Sequence, residues 1–132
     1  MLKELSVPTE SQFQMQDITR QIQKLVSDTG FKDGLVVLFV PHTTAAVTIN
    51  ENADPDVVTD MVKGLNQLIP LQNQYRHLEG NSAAHIKCSL IGASEQVIVR
   101  NGKLLLGTWQ GIYFCEFDGP RTRKLHVKML AG

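Results

Sequence analysis

From His85 to Leu130 the chain reads as a succession of short strands joined by turns, and such a succession closes most simply into an antiparallel sheet. The clearest is Thr122–Leu130, where Leu125, Val127 and Met129 fall on one side and Lys124, His126 and Lys128 on the other. Gln96–Arg100 and Lys103–Leu106 flank Asn101-Gly102, a dipeptide suited to a tight hairpin turn. Gly107–Phe117 is a further strand, ended by Asp118-Gly119-Pro120. It is apolar on both sides, Ile112 and Phe114 against Tyr113 and Cys115. A domain this small rarely covers both faces of such a strand, so a second subunit is expected to bury one of them. His85–Leu90 is taken as the first strand of the series, with Ile86, Cys88 and Leu90 inside and His85, Lys87 and Ser89 outside.

The first half adds two helices. Met15, Ile18, Ile22, Leu25 and Val26 make one apolar face over residues 15–28, and Gly30 is a natural stop. Asp54-Pro55 supplies an N-cap and a first-turn proline, after which Val58, Met61, Val62, Leu65 and Leu68 recur at helical spacing. Residues 3–9 alternate as an opening strand, Leu35–Val40 is a strand covered on both faces, and residues 42–50 follow as another. In that last strand His42, Thr44, Thr48 and Asn50 form a polar row. The expected fold is α+β: a largely antiparallel sheet with two main helices packed against it, in one domain spanning 1–132.

The 13 basic and 13 acidic residues cancel. That excludes nucleic-acid binding by bulk charge, so any anion must be held by a local cluster. No apolar run approaches the length of a membrane span, and no signal peptide opens the chain, so a cytoplasmic protein without membrane partners is expected. Cys88 and Cys115 lie in apolar runs and read as small buried hydrophobes.

The chemistry concentrates in His77-Leu78-Glu79-Gly80-Asn81-Ser82-Ala83-Ala84-His85-Ile86-Lys87, which holds two of the four histidines. With His42 they make a candidate three-histidine metal site, the donor set of many catalytic zinc centres. No local metal motif is present, so the spacing alone leaves open three unrelated loop histidines satisfied by backbone. Glu116 is a lone carboxylate in an apolar strand. It needs a cation, a metal or a raised pKa suited to proton transfer, and a salt bridge to Arg121 or Arg123 is the plain alternative. Lys87, Arg121 and Arg123, with Asn81, form a candidate phosphate or diphosphate site.

His42-Thr43-Thr44-Ala45-Ala46, Asn50-Glu51-Asn52, Tyr75-Arg76-His77, Gly80-Asn81, Ala84-His85-Ile86-Lys87, and Gly107-Thr108-Trp109-Gln110-Gly111-Ile112 through Glu116-Phe117-Asp118-Gly119-Pro120-Arg121 closely resemble the motifs of the YjbQ-like family, also called secondary thiamine-phosphate synthase enzymes. The resemblance runs over nearly the whole chain. It implies a small α+β subunit assembled as a homotrimer. It also implies a metal site at His42, His77 and His85, with Glu116 at the family's acidic position. The expected activity is that of a metal-dependent enzyme on a small phosphorylated or diphosphate substrate. The ion would be zinc, or magnesium with a diphosphate, and the candidate reaction couples a pyrimidine diphosphate to a thiazole phosphate. His85 and Glu116 would be catalytic, and Asn81, Lys87, Arg121 and Arg123 would hold phosphate. The alternative is a non-catalytic homotrimer that binds a metal or a small ligand.

Overall fold

The computed structural model describes residues 1–132. Its elements are β1 (Leu2–Pro8), β2 (Gln14–Asp17), α1 (Thr19–Thr29), β3 (Gly34–Phe39), β4 (Ala45–Glu51), α2 (Pro55–Leu68), α3 (Ser82–Ile91), β5 (Ser94–Arg100), β6 (Lys103–Leu104), β7 (Gln110–Glu116) and β8 (Thr122–Ala131). All strand pairs are antiparallel, in a five-stranded sheet of order β1-β8-β3-β5-β6 and a three-stranded sheet of order β2-β7-β4. The α+β reading holds.

The larger core lies between the two sheets. Val36 and Leu38 of β3, Val97 and Val99 of β5, and Leu125, Val127 and Met129 of β8 meet Val47, Ile112 and Phe114 of the smaller sheet. Helix α1 joins them through Ile18, Ile22 and Val26. A second core lies on the other face of the three-stranded sheet, where Met15, Ala46, Tyr113 and Cys115 meet Ala84 and Cys88 of α3, with Val58, Met61, Val62 and Leu65 of α2 packed alongside. Both faces of β7 are therefore covered from within the chain. The expectation that a second subunit buries one of them is corrected, because α2 and α3 do so.

Two local readings change. The apolar periodicity over 15–28 begins one strand too early. Gln14–Asp17 is β2, paired to Tyr113–Glu116 of β7, and α1 starts only where Asp17 Oδ1 accepts the Thr19 N–H at 2.9 Å. The stretch expected as strand His85–Leu90 lies in helix α3. Six residues of alternation fit a strand, but Ala83, Ala84, Lys87 and Cys88 form the buried helical face, while Ile86 and Leu90 are exposed. A lysine at a buried position hides that stripe from a hydropathy reading.

Elsewhere the local signals hold. Asp54 caps α2, its Oδ1 accepting the Asp56 N–H at 2.9 Å. Asn101 and Gly102 take positive φ, +52° and +76°, in the β5–β6 turn. No helix is long and apolar enough to cross a membrane.

Candidate functional site

A polar recess of about 310 Å³ opens where the amino end of β4, the first turn of α3 and the loop after β7 converge. Thr43, Thr44, His77, Glu79, Asn81, His85, Asp118 and Arg121 line it, with no apolar side chain among them. The structure thus brings together four of the residues expected from sequence: His77, His85, Asn81 and Arg121. The two imidazoles meet edge to face with ring centres 5.6 Å apart. His77 Nε2 lies 4.0 Å from Glu79 Oε1.

Asp118 ties Asn81 and Arg121 together in the wall of the recess. Its Oδ2 accepts from Asn81 Nδ2 at 2.8 Å and from Arg121 Nη2 at 3.2 Å, and its backbone oxygen accepts from Arg121 Nε at 3.0 Å. Asn81 is the N-cap residue of α3 but gives no side-chain hydrogen bond to the helix, and its Oδ1 is buried without a partner. The amino end of α3, where backbone N–H groups favour negative charge, is left uncapped by it.

The other expected residues stand apart from the recess. Glu116 and Arg123 form a fully buried bidentate pair: Arg123 Nε donates to Oε1 at 2.8 Å and Nη2 to Oε2 at 2.5 Å. The Thr9 hydroxyl donates to Oε1 at 2.7 Å and the Asp118 N–H to Oε2 at 3.0 Å. Arg123 Nη2 also reaches Thr44 Oγ1 at 2.8 Å. Burial alone would push the Glu116 carboxyl up, but Arg123, the Asp118 N–H and Thr9 outweigh it and hold the pKa below the ordinary value. The pair realises the salt-bridge alternative left open by the sequence. It anchors Thr44 and Asp118, which border the recess, from beneath. The Glu116 carboxylate thus accepts four hydrogen bonds, is fully buried and does not line the recess.

His42 does not line the recess. Its Nε2 accepts the Lys124 N–H at 3.0 Å, which puts the proton of the neutral ring on Nδ1. Burial, followed by the nearby Arg123 charge, lowers its pKa and favours that neutral form. In this arrangement neither nitrogen presents a free lone pair. No group of three or more His, Cys, Asp or Glu side chains is gathered to hold a metal ion. One chain offers such an ion two imidazoles, so the donor set for a three-histidine centre is not assembled within it.

Lys87 is also elsewhere. It is 1% exposed, donates to Asn66 Oδ1 of α2, and holds its ammonium 4.0 Å from the centre of the Phe13 ring. Burial lowers its pKa. Because the folded-state pKa is depressed, stability should rise with pH through that value and level off near the ordinary lysine value of 10.5. Lys87→Met should remove this alkaline rise and change stability by no more than about 1 kcal/mol at neutral pH, since a similar volume is kept without the buried charge. Urea denaturation from pH 7 to 10 checks both points. Unchanged alkaline behaviour in the variant would place the titrating group elsewhere.

Thr43, Thr44, Glu79 and Asp118 line the recess without having been assigned a site role from sequence, although Glu79 lies in the His77–Lys87 stretch. Asp118 carried a signal, since it stands two residues after the one buried carboxylate and three before Arg121.

A family model described as UPF0047 protein YjbQ-like matches residues 3–132. The chain belongs to the YjbQ-like UPF0047 family. It is 53% identical over 131 residues to the UPF0047 protein YugU of Bacillus subtilis, covering 98% of this chain and 99% of that one. It is 52% identical over 130 residues to a UPF0047 protein of Methanocaldococcus jannaschii, covering 98% and 94%. A crystal structure of a YjbQ/UPF0047 family protein from Clostridium acetobutylicum superposes with a TM-score of 0.94 at 55% identity, covering 97% of this chain and 99% of that one. A hypothetical protein from Aeropyrum pernix gives 0.95 at 37% identity, covering 100% and 99%.

Proposed function

We propose that the recess binds a small phosphorylated or diphosphate ligand and catalyses a transfer or hydrolysis on it. The observation that carries this reading is the all-polar lining, in which His77, His85 and Arg121 share the recess with Asn81, the residue at the amino end of α3. A phosphate suits an Arg121 guanidinium and free helix N–H groups. Asn81 Oδ1, a buried acceptor without a partner, suits a donor on the ligand, such as a protonated phosphate oxygen. His85 and His77 would serve as the proton donor and acceptor of the reaction, with Glu79 beside His77.

Thiamine-phosphate synthesis is the named candidate reaction. There the thiazole nitrogen would attack the pyrimidine methylene carbon as the bond to the diphosphate oxygen breaks, and Arg121 with the α3 amino end would stabilise the departing diphosphate. Hydrolysis of a phosphate ester is the other candidate. A divalent ion, zinc or magnesium, belongs to this proposal only as one carried in with a diphosphate or completed by donors from another copy. A homotrimer is the proposed assembly. A binding protein without turnover is the second reading, favoured by Asp118, which already engages the Arg121 charge.

Calorimetric titration with inorganic phosphate and diphosphate tests the site. The wild type should bind diphosphate, and Arg121→Ala should weaken it by roughly 10- to 100-fold. His85→Ala should keep binding within a few-fold and lose turnover of the coupling or hydrolysis substrates. Absence of binding by either anion at millimolar concentration would overturn the reading. Binding without turnover of any phosphate compound would select the second one.

A further inference from the structure

We infer that Trp109 of one copy of this chain seats in the hollow beside His77 and His85 of a second copy. The chain has one tryptophan, and its side chain stands in the turn before β7, 63% exposed. The sequence motif around it, Gly107–Gly111 with Asn50-Glu51-Asn52, plays no part in the recess. The two segments are nonetheless built together: the Asn52 N–H donates to the Trp109 oxygen at 2.9 Å, Glu51 pairs with Gln110, and Asn52 lies against Gly111 so closely that an added Cβ would stand 2.7 Å from it. A large aromatic held on a fixed backbone and left in water is the kind of group that anchors an interface.

The receiving surface is a shallow hollow of about 490 Å³ lined by Tyr75, Arg76, His77, Ser82, His85 and Ile86. It shares both imidazoles with the polar recess. Its apolar flank continues along the outer side of α3, where Ile86 and Leu90 are 44% and 57% exposed. The charges are complementary. Glu51, paired with Gln110, stands on the Trp109 side, whereas Arg76 stands in the rim of the hollow. That complementarity, on surfaces of the same molecule, commits the occupant to a second copy rather than to an unrelated partner.

A chain cannot fill its own hollow. Thr43 and Thr44, at the recess, precede β4, whereas Asn52 and Trp109 lie beyond its other end. Seven residues of strand separate the two ends by about 20 Å. The contact is either reciprocated within a pair of copies or repeated head to tail in a ring or filament. In either case each recess gains a wall from its neighbour. This inference rests on the assembly proposed above only in needing a second copy, and it does not depend on the ligand.

Because Trp109 is the sole tryptophan, its fluorescence reads the contact directly. Emission and acrylamide quenching of the full chain are followed from nanomolar to micromolar concentration, alongside sedimentation velocity. The expected result is a shielded, blue-shifted indole in the associated protein that becomes exposed on dilution. Arg76→Glu should weaken association by about 10-fold and expose the indole at concentrations where the wild type is shielded. Glu51→Arg combined with Arg76→Glu should restore shielding, which mere damage to the fold would not do. Trp109→Ala should weaken association by roughly 30-fold or more. An assembly in which Trp109 stays fully quenchable overturns this inference alone. A monomer at every concentration overturns both this contact and the proposed trimer. Charge variants that leave the shielding unchanged also overturn the contact.

Discussion

Replacing Arg123 with methionine is expected to cost about 3–5 kcal/mol of folding stability, because it strands the Glu116 carboxylate in a site with no access to water. Glu116 is 0% exposed, and Arg123 is the one cation that reaches it, through two side-chain hydrogen bonds. The pH dependence separates this cause from simple loss of packing. In the wild type the Glu116 pKa is held below its ordinary value. The stability contributed by the pair is therefore complete above the unfolded-state pKa, near 4.5, and is lost as pH falls through the lower folded-state value. In Arg123→Met the sign reverses. Desolvation without a counter-ion raises the folded-state pKa, so the variant should gain stability as pH falls from neutral towards the unfolded value. Urea denaturation of both proteins from pH 4 to 8 checks this. Parallel curves would show that Glu116 is not stranded and that the pair contributes only its packing. Double replacement with Glu116→Leu should cost less than the sum of the single changes, since the uncompensated charge is removed.

The second large effect is expected at Gly34, where β3 begins between β5 and β8. Gly34 pairs with Val99 on one side and Ala131 on the other, and its φ is +147°. A Cβ built there would stand 1.9 Å from the Leu130 backbone oxygen and 2.8 Å from the Phe31 ring. The first neighbour is backbone in the middle of the sheet and cannot swing aside. Gly34→Ala should cost at least about 3 kcal/mol, combining the unfavourable φ with displacement of β8. The melting temperature should fall by about 10 °C or more. Gly30→Ala is the control: its φ is +74° but no atom lies within 4 Å of the added Cβ, so only the conformational cost of about 1 kcal/mol applies. Equal losses at the two positions would show that φ, rather than the close approach of Leu130, sets the requirement for glycine at 34.

Among the predicted elements, those whose signal is local were legible in the sequence. The β8 alternation of Leu125, Val127 and Met129 against Lys124, His126 and Lys128 survives intact, and Arg123 continues its inward row at the end of the sheet. The Asp54-Pro55 start of α2 and the Asn101-Gly102 turn depend on neighbours one to three residues away, and both stand where the sequence put them. The recess was legible in part: His77, Asn81 and His85 lie within one short segment, and Arg121 closes a turn signal.

What the sequence by itself determined is the strands β1, β3, β4, β5, β7 and β8, the α2 start and the hairpin turn, and the residue types available for chemistry. The tertiary structure alone decided which of those residues meet. Lys87 is two positions from His85, yet the helical turn carries it to the buried side of α3 against Phe13 and Asn66. Arg123 is two positions from Arg121, yet strand alternation sends it inward to Glu116 while Arg121 stays at the recess. His42 was grouped with two histidines more than 30 residues away, but β8 supplies its Nε2 with a backbone N–H first. The physical reason is common to all three. A side chain's neighbours are set by sheet register and by which helix covers which face, and those are fixed by burial summed over the whole chain rather than by any local pattern.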